Sequence, residues 1–92
     1  MGFDLGIIVN TIKVHNFISQ SEGNYDYVMR CFERYISGDW GEMCEEDKIA
    51  NDEALITEDR ILASYEEEGM PKIWIITEWD RSSTTILFPS EY

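Results

Sequence analysis

Apolar positions along this chain follow two kinds of pattern, one recurring every three to four residues and one alternating or continuous over about five. Over residues 25–37, Tyr25, Val28, Phe32, Tyr35 and Ile36 recur at the spacing of one helix face, with Met29 and Cys31 at its margins. The spacing predicts a helix ending at Ser37 or Gly38, since glycine readily adopts the left-handed conformation that closes a helix. The polar cluster over residues 19–24 reads as the connection before it, with Asn24 as N-cap. Ahead of that, the β-branched run over residues 5–10 predicts a buried strand. Val14, Phe17 and Ile18 then suggest a short helical or irregular piece.

Beyond the first clear helix, Gly38-Asp39-Trp40-Gly41 reads as a compact turn anchored by its tryptophan. A second helix over residues 44–55 has only a thin apolar stripe, Ile49, Ala50 and Ala54, and should lie on the surface. Residues 60–65, 72–79 and 84–88 are rich in β-branched and aromatic side chains and are separated by turn-forming sequence, which reads as an antiparallel meander. The middle run is apolar on both faces and should be the central strand, and Pro89 should end the last one. The pattern predicts one α+β domain over residues 1–92. Its antiparallel sheet has about four strands, a C-terminal three-stranded meander plus the N-terminal strand, and it carries two helices.

Composition supports a single core: 43% of the 92 residues are apolar and twelve are aromatic, enough without disulfides or a structural metal. Cys31 and Cys44 are too few for a disulfide framework and show no metal-ligand spacing, so both read as ordinary thiols, Cys31 in the core. The first ten residues do not resemble an export signal, and no stretch approaches the roughly 20 apolar residues needed to span a bilayer. A cytoplasmic protein without a membrane role is expected.

Charge changes the picture more. Nineteen acids against seven scattered bases give a net charge of -12, which repels nucleic acid and anionic lipid and makes direct nucleic-acid binding improbable. Residues 39–59 contain Asp39, Glu42, Glu45, Glu46, Asp47, Asp52, Glu53, Glu58 and Asp59 against Lys48 alone. Like charges one helical turn apart cost about 0.2–0.5 kcal/mol per pair. Three readings arise: a solvated face that keeps a small protein soluble, an imitation of the phosphate array of a duplex aimed at a basic protein partner, or a divalent-cation site, although the tract lacks the spacing of an EF-hand loop. The second reading takes Asp39, Trp40, Glu42, Glu45, Glu46, Asp52 and Glu53 as partner-binding residues.

A second polar constellation spans residues 77–85. There Glu78 and Asp80 could serve as metal ligands or an acid/base pair, with Arg81 holding an anion. The plainer reading is a hairpin in which Asp80 caps the turn and Arg81 offsets Glu78. His15, the only histidine, has no serine or cysteine at a recognisable spacing, and no glycine pattern suggests a nucleotide. No catalytic residue, resident metal or cofactor is assigned.

Ser37-Gly38-Asp39-Trp40-Gly41, Glu45-Glu46-Asp47, Ala50-Asn51-Asp52 and Arg60-Ile61-Leu62 are distinctive, and so is Lys72-Ile73-Trp74-Ile75-Ile76-Thr77-Glu78 followed by Asp80-Arg81-Ser82 and Thr84-Thr85. On these motifs the chain resembles a family of short uncharacterised bacterial proteins associated with plasmids, phages and conjugative elements. The likeness covers about residues 5–92 and departs most in the N-terminal third, where members have a Pro-rich helix start and this chain has residues 21–24. The resemblance brings no activity. It implies a mobile-element accessory protein, one that could interfere with host defence such as restriction or CRISPR. The expected function is therefore a non-enzymatic acidic interaction protein. The alternatives are a small metal-dependent enzyme or metal-binding module using Asp39, Glu78, Asp80 and Arg81, and a homo-oligomer paired through a strand edge or an apolar patch near Trp74 or Trp79.

Overall fold

The computed structural model describes residues 3–92. Strand β1 (Ile7–Asn10) is followed by three helices, α1 (Ile12–Gln20), α2 (Glu22–Ile36) and α3 (Glu45–Thr57). Strands β2 (Ile61–Tyr65), β3 (Ile73–Thr77) and β4 (Ser83–Leu87) come next, then a short 3-10 turn at Pro89–Glu91. The domain is α+β, with the four strands in one sheet of order β1-β4-β3-β2. The C-terminal three form the expected antiparallel meander with β3 central.

Several features of the expected fold are corrected. The sheet is mixed, because β1 pairs parallel to β4, Ile7 opposite Ser83 and Asn10 opposite Ile86. The chain leaves β1 through the helical layer and enters the sheet again at the far edge. The meander then reverses twice, so β4 arrives beside β1 running the same way. There are also three helices, not two. The residues around Val14, Phe17 and Ile18 form a full helix, started by the Thr11 hydroxyl, which accepts from the Val14 amide at 3.3 Å. Ser21, the one residue between α1 and α2, is the N-cap of α2, its hydroxyl accepting from the Asn24 amide at 3.1 Å. Asn24, expected as that cap, instead donates its side-chain amide to the Phe17 carbonyl at 2.9 Å, tying the end of α1 to the start of α2.

The core lies between the sheet and the helices. Strand alternation turns Ile61, Ala63, Tyr65, Ile73, Ile75 and Ile86 to one face, where they pack against Val14, Tyr27, Val28, Cys31 and Tyr35. Ile76 and Leu87 are buried on the opposite face, outside that cluster. There the C-terminal tail folds back, with Tyr92 edge-on to Trp74 at 5.5 Å and Arg60 over the Tyr92 ring at 5.3 Å.

Polar groups inside the core form a relay. Tyr35 Oη lies 2.5 Å from Thr77 Oγ1, which lies 2.8 Å from Thr84 Oγ1, which donates to the Leu5 carbonyl at 2.7 Å. A carbonyl can only accept, so Thr84 must accept from Thr77, and Thr77 from Tyr35. Tyr27 donates to the Pro71 carbonyl at 2.6 Å and Tyr65 to the Asp39 carbonyl at 2.7 Å. Among the described residues no buried side-chain nitrogen or oxygen lacks a partner, as a well-packed interior requires.

The two outer strands of the sheet differ. At β2, the Asn51 side chain donates to the Leu62 carbonyl at 2.8 Å and accepts from its amide at 3.4 Å. Ser64 is held on the same side by residues 40–42: its amide donates to the Trp40 carbonyl at 3.3 Å, and its carbonyl accepts from the Glu42 amide at 2.7 Å. Gly41 sits in this bridge at φ 78°, and an added Cβ would collide with the Ser64 carbonyl and the Tyr65 ring. β1 was expected to be buried, yet all four of its residues are exposed, Ile7 at 72%. Its apolar run resembles a buried strand, but it occupies an edge that no further element covers among the described residues.

Candidate functional site

The acidic tract folds into two differently employed parts. In the segment before α3, Arg34 of α2 forms a two-pronged pair with Asp39, Nε to Oδ2 at 2.7 Å, and its Nη2 lies 3.7 Å from Glu42. The hydrogen bonds from Arg34 hold the Asp39 carboxyl below its usual range. Glu42 also accepts from the Glu66 amide at 3.0 Å. Asp39 and Glu42 are therefore engaged with their own chain. Trp40 is 3% exposed and packs in the core, and its indole N–H donates to Asp52 at 2.9 Å. Asp52 thereby anchors α3 to the turn that precedes it.

α3 itself places Glu45, Glu46 and Asp47 in its first turn, where the positive end of the helix dipole favours carboxylates and offsets part of their mutual repulsion. Its inward side is made by Asn51, Ala54 and half-buried Leu55. The stripe expected from sequence, Ile49, Ala50 and Ala54, is thus corrected: the helix is rotated so that Asn51 meets the backbone of β2. Satisfying that strand edge displaces Ile49 outward. At 100° per residue, the outward face carries Glu45, Glu46, Ile49, Glu53 and Ile56. Ile49 is 54% exposed and Ile56 84%. Nothing in the simple apolar count marked these two isoleucines as surface residues. The cue lay in Asn51, a residue suited to bonding an exposed strand edge.

The turn after β3 is employed structurally. Asp80 accepts from the Ser82 amide at 3.0 Å, and hydrogen bonds from Ser82 keep its carboxyl below the usual range. Arg81, in the left-handed region at φ 59°, does not pair with the Glu78 carboxylate. Its guanidinium donates to the carbonyls of Ala54 at 2.8 Å, Asp59 at 2.7 Å and Glu78 at 3.1 Å. α3 has no basic residue in its own last turn, and Arg81 supplies that charge from the β3–β4 turn. Asp39 lies at the Tyr65 end of β2 and Glu78 follows the residue paired with Ile61, at the other end. The four side chains of the metal reading are therefore not gathered, and among the described residues no three His, Cys, Asp or Glu side chains converge on a point where a metal ion would bind.

The remaining reactive groups have quiet surroundings. Burial pushes the Cys31 thiol up to about 11, so it stays protonated, whereas Cys44 is exposed just before α3. His15 lies on the wall of a cavity of about 290 Å³ between β1, α1 and α2, otherwise lined mainly by apolar side chains such as Ile8, Ile18, Val28 and Phe32. No described helix is long and apolar enough to cross a membrane. Family models, curated proteins and solved structures yield no match to the chain.

Proposed function

We propose that the protein is an acidic interaction module that docks the outward face of α3 on a basic protein partner. The observation that carries this reading is a mixed face on a firmly held helix: Glu45, Glu46 and Glu53 surround Ile49 and Ile56, which are 54% and 84% exposed. The two isoleucines lie on one side of the helix among the carboxylates and give this face a mixed apolar and acidic character. A basic cleft with apolar spots complements both. Asn51, Asp52 and Arg81 fix the helix from its inner side, so its outer side enters a contact with little ordering cost. The mobile-element context implied by the sequence resemblance makes a nucleic-acid-binding defence complex, of the restriction or CRISPR kind, the proposed target, with the carboxylates occupying positions its phosphate ligand would take.

The test is capture from a host lysate using the wild type, a Glu45→Lys/Glu46→Lys/Glu53→Lys variant and an Ile56→Ala variant. A basic protein should be retained by the wild type, lost with the charge reversals, weakened with Ile56→Ala, and displaced by added duplex DNA. Retention that survives the three reversals would refute this docking face.

A further inference from the structure

The contrast between the two sheet edges carries a second, independent reading. In β1 the Ile7 amide donates to the Ser82 carbonyl at 3.0 Å, and the Thr11 amide to the Ile86 carbonyl at 3.1 Å. In a parallel ladder alternate residues face the neighbouring strand, so the amides and carbonyls of Ile8 and Asn10 point away from β4. Among the described residues no hydrogen bond reaches them. The equivalent groups on β2, at Leu62 and Ser64, are all bonded by Asn51 and by residues 40–42. Around the open edge, Ile7, Ile8, Val9 and Ile12 are exposed, at 42% to 79%. Bare backbone beside exposed isoleucine and valine is a template for another strand.

From this we infer that the protein forms a two-fold dimer in which β1 pairs antiparallel with β1 of a second copy, making one eight-stranded sheet. Ile8 of each copy then exchanges both backbone hydrogen bonds with Asn10 of the other, and the two Val9 side chains meet at the axis. Charge selects the second copy as the occupant. The chain carries -12, yet residues 5–21 contain no acid and one base, Lys13. This is the longest acid-free stretch, and it covers the open edge. Acids stand at its two ends, Asp4 beside Gly6 and Glu91 on the Thr11 hydroxyl, so two such acidic molecules can approach through the middle of this patch with little repulsion. The pairing also sends α3 to opposite ends of the sheet. Seven strand spacings of about 4.8 Å separate the two β2 strands by about 34 Å. That is roughly four Debye lengths at physiological salt, so the acidic helices add little to the residual repulsion between two chains of like charge. Each copy contributes a strand of only four residues, a small contact, and the dimer should dissociate on dilution.

Sedimentation analysis over about 5 to 500 µM protein tests this directly. The expected mass rises with concentration from 10.8 kDa to twice that value, and association strengthens in 0.5 M salt as the residual repulsion is screened. Val9→Lys places two ammonium groups at the axis without touching the helix-facing core and should weaken association by about ten-fold or more. Ile8→Pro, which removes an outward amide unused within one molecule, should do the same, with the far-UV spectrum and melting temperature reporting that each variant folds. In amide exchange at high concentration, Ile8 and Asn10 should slow in the wild type alone, while Leu62 and Ser64 stay slow in every sample. A wild type that remains at 10.8 kDa throughout overturns the proposal, as does a folded Val9→Lys that associates as tightly as the wild type.

Discussion

Replacing Asn51 with leucine isolates the clasp between α3 and the sheet. The side chain is 6% exposed and serves both backbone groups of Leu62, strongly at 2.8 Å and weakly at 3.4 Å. Leucine leaves a half-buried carbonyl and amide without partners. At about 1–3 kcal/mol for each unsatisfied buried group, and the lower end for these partly shielded ones, the loss is about 2–3 kcal/mol. Leucine's better helix propensity returns a few tenths of a kcal/mol, leaving a net loss of about 2 kcal/mol. For a domain of this size that lowers the melting temperature by roughly 8–16 °C. With a urea slope of about 1–3 kcal/mol per molar, the midpoint should fall by roughly 1 M. Equilibrium urea unfolding at 25 °C measures it, and a loss below about 0.5 kcal/mol would show that water serves Leu62 as well as Asn51 does. Asn51→Asp sharpens the test. Its carboxylate keeps the acceptor but faces the Leu62 carbonyl without a proton, so its folded pKa is raised. The stability it contributes is then present below the unfolded value of about 3.9 and lost as pH rises through the folded value. This variant should be closer to the wild type at pH 3 than at pH 7.

Two further outcomes follow from the same region. Gly41→Ala imposes a Cβ at φ 78° against the Ser64 carbonyl and the Tyr65 ring. It should cost about 3 kcal/mol or more, combining left-handed strain with a backbone clash, and a melting temperature unchanged within about 3 °C would contradict the bridge geometry. Asp39, whose carboxyl Arg34 holds below its usual range, contributes stability present above the unfolded pKa and lost as pH falls through the folded one. Urea midpoints measured from pH 6 down to pH 2 should therefore decline less steeply for Asp39→Asn than for the wild type, and parallel curves would mean that the pair is without consequence.

The elements that could be read from sequence are those whose local pattern and final environment agree. α2 shows its 3.6-residue period because one side faces the core along its length, and the meander shows its strands because β3 is covered on both edges. Reading failed where a neighbour distant in sequence decided the outcome. The run Ile7, Ile8, Val9 looks like a buried strand, since only the sheet order reveals that β1 is left at an edge. Ile49 looks like core until Asn51 turns α3 to reach Leu62. Arg81 looks like a partner for Glu78 three residues before it, yet its guanidinium is drawn to carbonyls at the end of a helix some 25 residues earlier. In the acidic tract, composition located the charge but not its use: Asp39, Glu42 and Asp52 are spent internally, and Glu45, Glu46 and Glu53 are left facing out.

The closed edge at β2 sets the valence of the sheet. A strand ladder bare on both sides is divivalent in effect, able to add a copy at each end and so to grow without limit. With Asn51 and the residue 40–42 bridge sealing one side, at most one ladder remains to be joined, and any strand-to-strand association must terminate after a single step. The same few hydrogen bonds that seat the acidic helix thus also act as a chain stopper against fibre growth, and loosening them would be expected to change the end point of association as well as the stability of the fold.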